Sequence, residues 1–335
     1  RLALSPLSTG FLSGQGSSAV QIVPPLSWIA VITIVTLMGY HAGGRRLAVL
    51  VAICFGFLAV FGQWTSAMVT LASILVAVPI GVVGGLLLGI AAYRWERFER
   101  ALSPVLDLMQ TIPVFAYLVP ILFLFGFGPT AAIVATVIYA MPPMTRITVL
   151  SLNAVPPEFR DLGNMVGCTR HQMTWRVMVP SAKDSLMVGV NQVIMLSLNM
   201  VIISSMIGAG GLGYDVLLAL RALKIGQAME AGLAIVIIAI VLDRLSQAIA
   251  HKRPDVVTAT SPWQRHANLL IAIGLLLGTT LLALAIPALN KLPPSLTFTT
   301  APHWKAALDW VTQNFFDHIE LIRVFVLLNF LNPLR

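Results

Sequence analysis

Gly208-Ala209-Gly210-Gly211-Leu212-Gly213 has the G-x-G-x-x-G spacing of a pyrophosphate-binding turn, and Glu230 falls near the acidic position such a site uses further on. Phosphate chemistry there needs a preceding strand inside a βαβ unit. Here the glycines follow a span-length apolar run, so the spacing predicts a closely packed turn at the outer mouth and no nucleotide site. Histidines and cysteines are no better placed. His171, His251, His266, His303 and His318 are scattered through polar stretches, and His41 follows an apolar run. Cys54 and Cys168 offer no disulfide framework. No metal, redox or other cofactor chemistry is expected from such spacings, and no catalytic residue.

Two other groups could act without bond chemistry. Asn191, Gln192 and Asn199 interrupt an apolar run, and Gln192 and Asn199, seven apart, share one helix face. Polar side chains in lipid must face protein or water. This face therefore either hydrogen-bonds to a neighbouring helix or lines a translocation path. The second group is the long polar stretch 155–184, VPPEFRDLGNMVGCTRHQMTWRVMVPSAKD. Pro156-Pro157 can start a helix and Gly167 can end it. Met173, Val177 and Val179 then give a second short apolar face ending at Pro180. Two short helices joined at a glycine make a rigid knob, suited to carrying force into a groove on a partner.

The elements that must hold these groups are membrane spans. Of 335 residues, 58% are hydrophobic and only 10% charged, far from the roughly 25% charge of soluble domains. A crossing takes about 20 apolar residues. Candidate runs are 26–42, 47–62, 66–92, 105–127, 129–150, 185–206, 228–250 and 267–288, giving about seven to eight transmembrane helices in an all-α polytopic chain. Pro79 predicts a kink or re-entrant piece in the third run, and Pro113 with Pro120 a broken helix in the fourth. Gly81, Gly85 and Gly89, four apart, predict close helix packing.

Charge placement sets the direction. The net charge of +8 comes in small basic groups between apolar runs, which excludes a phosphate-tracking stripe and with it nucleic acid. Fourteen Lys and Arg fall on the side holding 43–46, 93–104, 151–184 and 251–266, against seven on the other. By the positive-inside rule the first side is cytoplasmic, and the N-terminus, 206–227 and everything after 288 lie outside. Asp107 and Asp243 fall near the cytoplasmic ends of their runs and Glu230 near an outer end. The absence of an ionisable group at the midplane weakens the alternative reading, an ion-coupled secondary transporter of a small polar solute.

The register of Asp161, Leu162 and Gly163, then Gly167, then Val177-Met178-Val179-Pro180 resembles the coupling motif of ATP-binding-cassette (ABC) importer permeases. Asp161 stands where that family commonly has glutamate, and Leu162 where it has alanine. Segments 107–128, 139–156, 171–213 and 235–248 are similar to its glycine betaine/proline/choline branch, over roughly residues 28–250. The resemblance implies a type I ABC importer permease fold in the cell inner membrane, without a nucleotide site of its own. It implies three protein partners: a cytoplasmic ABC ATPase docked through 155–180, an extracytoplasmic substrate-binding protein, and a second permease core, as a homodimer or a fused copy. Coupling would fall to Asp161, Leu162, Gly163, Gly167, Val177, Val179 and Pro180, with Gln192 and Asn199 on a possible path. The solute implied is a quaternary ammonium compatible solute: glycine betaine, choline or proline betaine.

The expected organisation runs from an irregular extracytoplasmic segment, 1–25, through accessory helices, 26–62, to a permease core, 63–250. A cytoplasmic linker, 251–266, an extra crossing, 267–288, and an extracytoplasmic segment, 289–335, follow. In the last, Trp304, Leu308, Val311, Phe315, Ile319, Ile322 and Val326 recur at steps of three and four. They predict an amphipathic helix along the outer interface, in contact with lipid. It resembles the lead-in to a permease core, so the sequence is expected to be a piece of a longer product that goes on into a second copy.

Overall fold

Apolar runs become helices here wherever a proline, a glycine pair or a polar stretch bounds them. The computed structural model describes residues 11–13, 20–23, 27–251, 274, 278 and 298–331. Its helices are α1 (Trp28–Val60), α2 (Trp64–Arg94), α3 (Glu96–Thr111), α4 (Val114–Phe125) and α5 (Pro129–Asn153). Then come α6 (Pro157–Met165), α7 (Arg170–Gln172, a π-helical turn Met173–Met178, and Val179–Ser181), α8 (Lys183–Ser204), α9 (Leu212–Arg221), α10 (Ile225–His251) and α11 (Ala301–Val326). Five of these, α1, α2, α5, α8 and α10, are long and apolar enough to cross a membrane, and α3 with α4 makes a sixth if the bent pair counts as one span.

The first two expected crossings share α1, which breaks at Gly43 and Gly44. A Cβ on Gly39 would lie 3.3 Å from a Val51 methyl and 3.4 Å from the Ala48 backbone. Twelve residues of straight helix would hold Gly39 and Val51 about 18 Å apart. The legs 28–42 and 45–60 therefore fold back on each other as an antiparallel hairpin, each shorter than the ~20 residues of a full crossing.

Prolines divide the chain differently from expectation. α2 runs unbroken through Pro79, with no re-entrant piece. In the fourth run only Pro113 breaks the helix: α3 and α4 meet there at 102°, while Pro120 sits inside α4. Ile112, the residue before Pro113, is extended (φ −66°, ψ 131°), as the clash with the proline ring dictates. α3 also starts nine residues before the expected 105 and is amphipathic rather than wholly apolar.

At the centre, α2 packs on α5 and α8 through its glycine face. A Cβ on Gly85 would come within 2.6 Å of Met144 Cβ, and one on Gly89 within 2.5 Å of Thr148 Cβ. Bare backbone is what lets the two axes approach. Thr145 and Thr148 turn their hydroxyls back to the carbonyls of Met141 and Met144 (3.2 and 2.8 Å), so neither hydroxyl is left without a partner at the seam. A second cluster, including Val31, Val51, Phe55, Leu58, Met68, Leu212 and Ile238, joins the α1 hairpin to α2 and α10.

The connections gather at two ends. Gly43 and Arg46 lie beside Arg244 and Gln247 at one end. At the other, the Phe298 N–H donates to the Val60 carbonyl (2.8 Å) and Glu230 accepts from the Thr300 N–H and hydroxyl. Within the segment expected to be irregular, β1 (Phe11–Ser13) and β2 (Val20–Val23) pair antiparallel, in keeping with the β-branched residues of Val-Gln-Ile-Val. The expected crossing 267–288 and linker 251–266 lie, but for positions 251, 274 and 278, outside the described residues.

Candidate functional site

The polar stretch between α5 and α8 folds into the two-helix knob its prolines and glycine predict. Pro156 is extended (φ −53°, ψ 139°) and Pro157 takes the first helical position of α6, where a missing N–H costs nothing. Gly167 ends the helix in a left-handed conformation, φ +77°. That turn aims the Cys168 N–H at the Gly163 carbonyl (2.9 Å) and the Gly167 N–H at the Asn164 carbonyl (3.0 Å), satisfying carbonyls that a helix end leaves open. Thr169 then opens α7 with a reciprocal cap: the Gln172 N–H donates to the Thr169 hydroxyl (3.3 Å), and the Thr169 N–H donates to the Gln172 side-chain oxygen (2.9 Å).

The second face does not end at Pro180. α7 widens into the π-helical turn Met173–Met178, passes through Pro180 to Ser181, and Lys183 begins α8 two residues later. A proline ring crowds the carbonyl four residues before it, and a widened turn is a common way to accommodate such an insertion. The knob is therefore continuous with a central span rather than hung from it by a linker.

The seven motif residues divide by direction. Gly163 is buried where α6 crosses α7, and a Cβ there would meet the Met173 thioether carbon at 2.6 Å and a Val177 methyl at 3.6 Å. Met178 is buried, and Met173 and Val179 pack with it against Ile90, Leu152, Val155 and Leu186. The Arg160 guanidinium lies 5.6 Å from the Tyr93 ring centroid, a contact worth ~0.5–1 kcal/mol where partly exposed. Asp161, Leu162, Gly167 and Pro180 point outward. Residues that the motif does not name complete that outer surface. Phe159, Leu162, Met165 (86% exposed) and Val166 (74% exposed) form an apolar ridge along α6 and its end. Their steps of three and four are those of one helix face, a signal the sequence carries alongside its proline and glycine punctuation.

Gln192 and Asn199 both lie exposed on α8, on the side opposite buried Val201. Asn191 differs: its side-chain oxygen is buried without a hydrogen-bond partner. The glycine turn is packed, as expected. Gly210 and Gly211 take φ +76° and +87°, the Leu212 N–H donates to the Thr70 hydroxyl of α2 (3.0 Å), and the element leading into the turn is helix rather than strand. Among the described residues no cluster of His, Cys, Asp or Glu could hold a metal ion.

Comparison with known proteins gives a family match and matches to individual relatives. Residues 81–251 match the family described as binding-protein-dependent transport system inner membrane component. The chain is 38% identical to a trimethylamine N-oxide transport system permease protein of Pelagibacter ubique, over 93% of this chain and 45% of that protein. It is 42% identical to a glycine betaine/proline betaine transport system permease protein of Escherichia coli, over 65% of this chain and 62% of that protein. With a glycine betaine transport system permease protein of Bacillus subtilis the identity is 39%, over 73% of this chain and 88% of that protein. The chain thus spans less than half the length of the first of these relatives.

Proposed function

Because the chain belongs to the family of binding-protein-dependent transport system inner membrane components, we propose that it forms the solute-passing membrane core of an ATP-driven importer. The observation that carries the reading is the α6–α7 knob. It is capped at both helices, anchored through Met178 in the core, and presents an apolar ridge outward. Such a body can pass motion between a soluble motor and the spans, because it has no flexible joint where force would dissipate. Asp161, Leu162, Gly167 and Pro180 would meet the ATPase, while Gly163, Val177 and Val179 hold α6 to α7 and to α8. This reading sets the ion-coupled carrier aside.

The solute class follows from the relatives. Glycine betaine, proline betaine and trimethylamine N-oxide share a small, methylated nitrogen bearing formal positive charge, and we place this chain's cargo in that class, with choline as the further member to test. An extracytoplasmic binding protein would deliver it. Gln192 and Asn199 would line the path: amide side chains exposed on a span face either water or another protein. A second permease core would supply the opposite wall. The length of the Pelagibacter relative supports a fused second copy beginning near α11, against a homodimer of separate chains.

Docking is tested by replacing Leu162 with Asp in the full-length protein. The variant should reach the membrane at normal levels and lose co-purification with the ATPase. Undiminished co-purification would overturn the assignment of α6 as the docking helix.

A further inference from the structure

Arg146 stands inside a membrane span. The sequence places it in the apolar run 129–150, and α5 continues to Asn153, so it lies about 10 Å in from the cytoplasmic end of the helix at 1.5 Å per residue. A guanidinium at such depth is costly without a partner and marks a functional position by default. Its partner is Asp107 of α3, with which it forms a hydrogen-bonded ion pair. The two residues are 39 apart in sequence. By contrast, the Arg100–Glu96 pair lies within α3 itself.

The two helices so joined are held very differently. α5 is locked to α2 and α8 on both sides of Arg146, through Met144 and Thr148 against Gly85 and Gly89 and through Met144 against Gly189. α3 buries one residue, Leu106, and ends at the 102° bend before α4. Between them lies a cleft of about 310 Å³ lined in part by Glu99, Ser103, Leu106, Asp107, Thr145 and Arg146. A fixed post, a loosely packed arm hinged at Ile112–Pro113, and one charge pair across an open cleft are the parts of a latch.

We propose that Arg146 and Asp107 form a cytoplasmic latch that holds α3 against α5, and that it must close and open in each transport cycle. The pair acts through the position of α3, so both are positioning residues. The proposal rests on the importer reading above. The physical cause is electrostatic: closed, the two side chains, 37% and 61% exposed, attract and satisfy one another at the mouth of the cleft; open, each is hydrated by the water that the cleft admits.

The test compares D107R, R146D and the exchanged pair D107R/R146D in the full-length protein reconstituted with its ATPase and binding protein. Each single variant should lower solute carried per ATP hydrolysed by at least about tenfold, while ATP hydrolysis stays within about threefold of wild type, and the exchange should restore the ratio to within about threefold. A purely packing role would lower hydrolysis and uptake together. The latch is overturned if the single variants leave the ratio unchanged, or if the exchanged pair inserts normally and remains as low as either single. Should the exchanged pair fail to insert, D107N and R146Q replace it, and a normal ratio in both overturns the latch. A separate measurement needs no transport. With Cys54 and Cys168 replaced by Ser, crosslinking between Ser103→Cys and Leu150→Cys should fall about fivefold in R146D and recover in the exchange. Absence of uptake in wild type with this crosslinking pattern intact would remove the importer reading and keep the ion pair as the holder of α3; crosslinking that is indifferent to the charges would remove the latch alone.

Discussion

Gly167 decides whether the knob exists. Its φ of +77° costs an L-residue about 1–2 kcal/mol, and open space surrounds the position where a Cβ would go, so strain rather than collision is the whole effect. Gly167→Val should therefore lower thermal stability of the knob and uptake together, while Gly167→Asn, whose side chain tolerates the left-handed region, should retain most of both. Equal behaviour of the two variants in uptake and melting measurements would refute a backbone role. Gly163 is a contrasting case. The atoms a Cβ would meet first are the mobile end of Met173, so Gly163→Ala should be mild. At this scale the sequence was legible where a residue type has one structural meaning, as with Pro156-Pro157, Gly167 and the packed glycines after α8. It was not legible for Arg146 and Asp107. A pair 39 residues apart leaves no periodic trace, and the positive-inside count takes Arg146 as one more charge on the basic side although it lies inside α5. The charge interrupting an apolar run was the available signal.

Among the helices, the α2–α5 seam sets the most demanding tolerance. Alanine in place of Gly81 would meet only a Val193 methyl at 3.4 Å, an ordinary contact, and would gain the ~1 kcal/mol by which alanine outranks glycine in a helix. Gly89→Ala would come within 2.7 Å of the Thr145 carbonyl and 2.5 Å of Thr148 Cβ. Backbone cannot step aside, so overpacking of about 1–3 kcal/mol outweighs the propensity gain. Thermal unfolding in detergent should rank Gly81→Ala at or above wild type and Gly89→Ala several degrees below; the reverse order would contradict the seam. Spacing of four in the sequence was enough to expect this packing, because small residues at that interval fall on one helix face. Proline gave a weaker guide. Pro79, Pro120, Pro142 and Pro143 all sit inside helices, whereas Pro113 breaks one. What differs is whether neighbouring helices re-satisfy the freed carbonyl, which depends on contacts that no local pattern records.

For the whole chain, the described residues from 27 onward form a helical membrane body whose two ends carry different attachments: the knob on the basic side and α11 on the other. α11 lies beyond the residues that match the family, 81–251, yet its start is tied to that core. Glu230, 5% exposed, accepts from the Thr300 N–H and hydroxyl. It thereby caps the helix end where negative charge is favoured. Glu230→Ala should leave the Thr300 N–H and hydroxyl without their acceptor, at a cost of about 1–3 kcal/mol, and should raise protease cleavage around 298–303 severalfold. Unchanged cleavage would show that the tie contributes nothing. The helix itself was legible from its three- and four-residue steps. Its anchor was not, since Glu230 and Thr300 are 70 residues apart and share no local pattern. The importer reading joins both attachments into one account: motor below, delivered solute above, a packed helical core between. Uptake of labelled glycine betaine, proline betaine, choline and trimethylamine N-oxide into proteoliposomes holding the full-length protein and its ATPase tests that account most directly. The predicted result is accumulation of at least one of them that requires both ATP and the binding protein and survives collapse of ion gradients. Accumulation driven by an ion gradient with no ATPase present would contradict it.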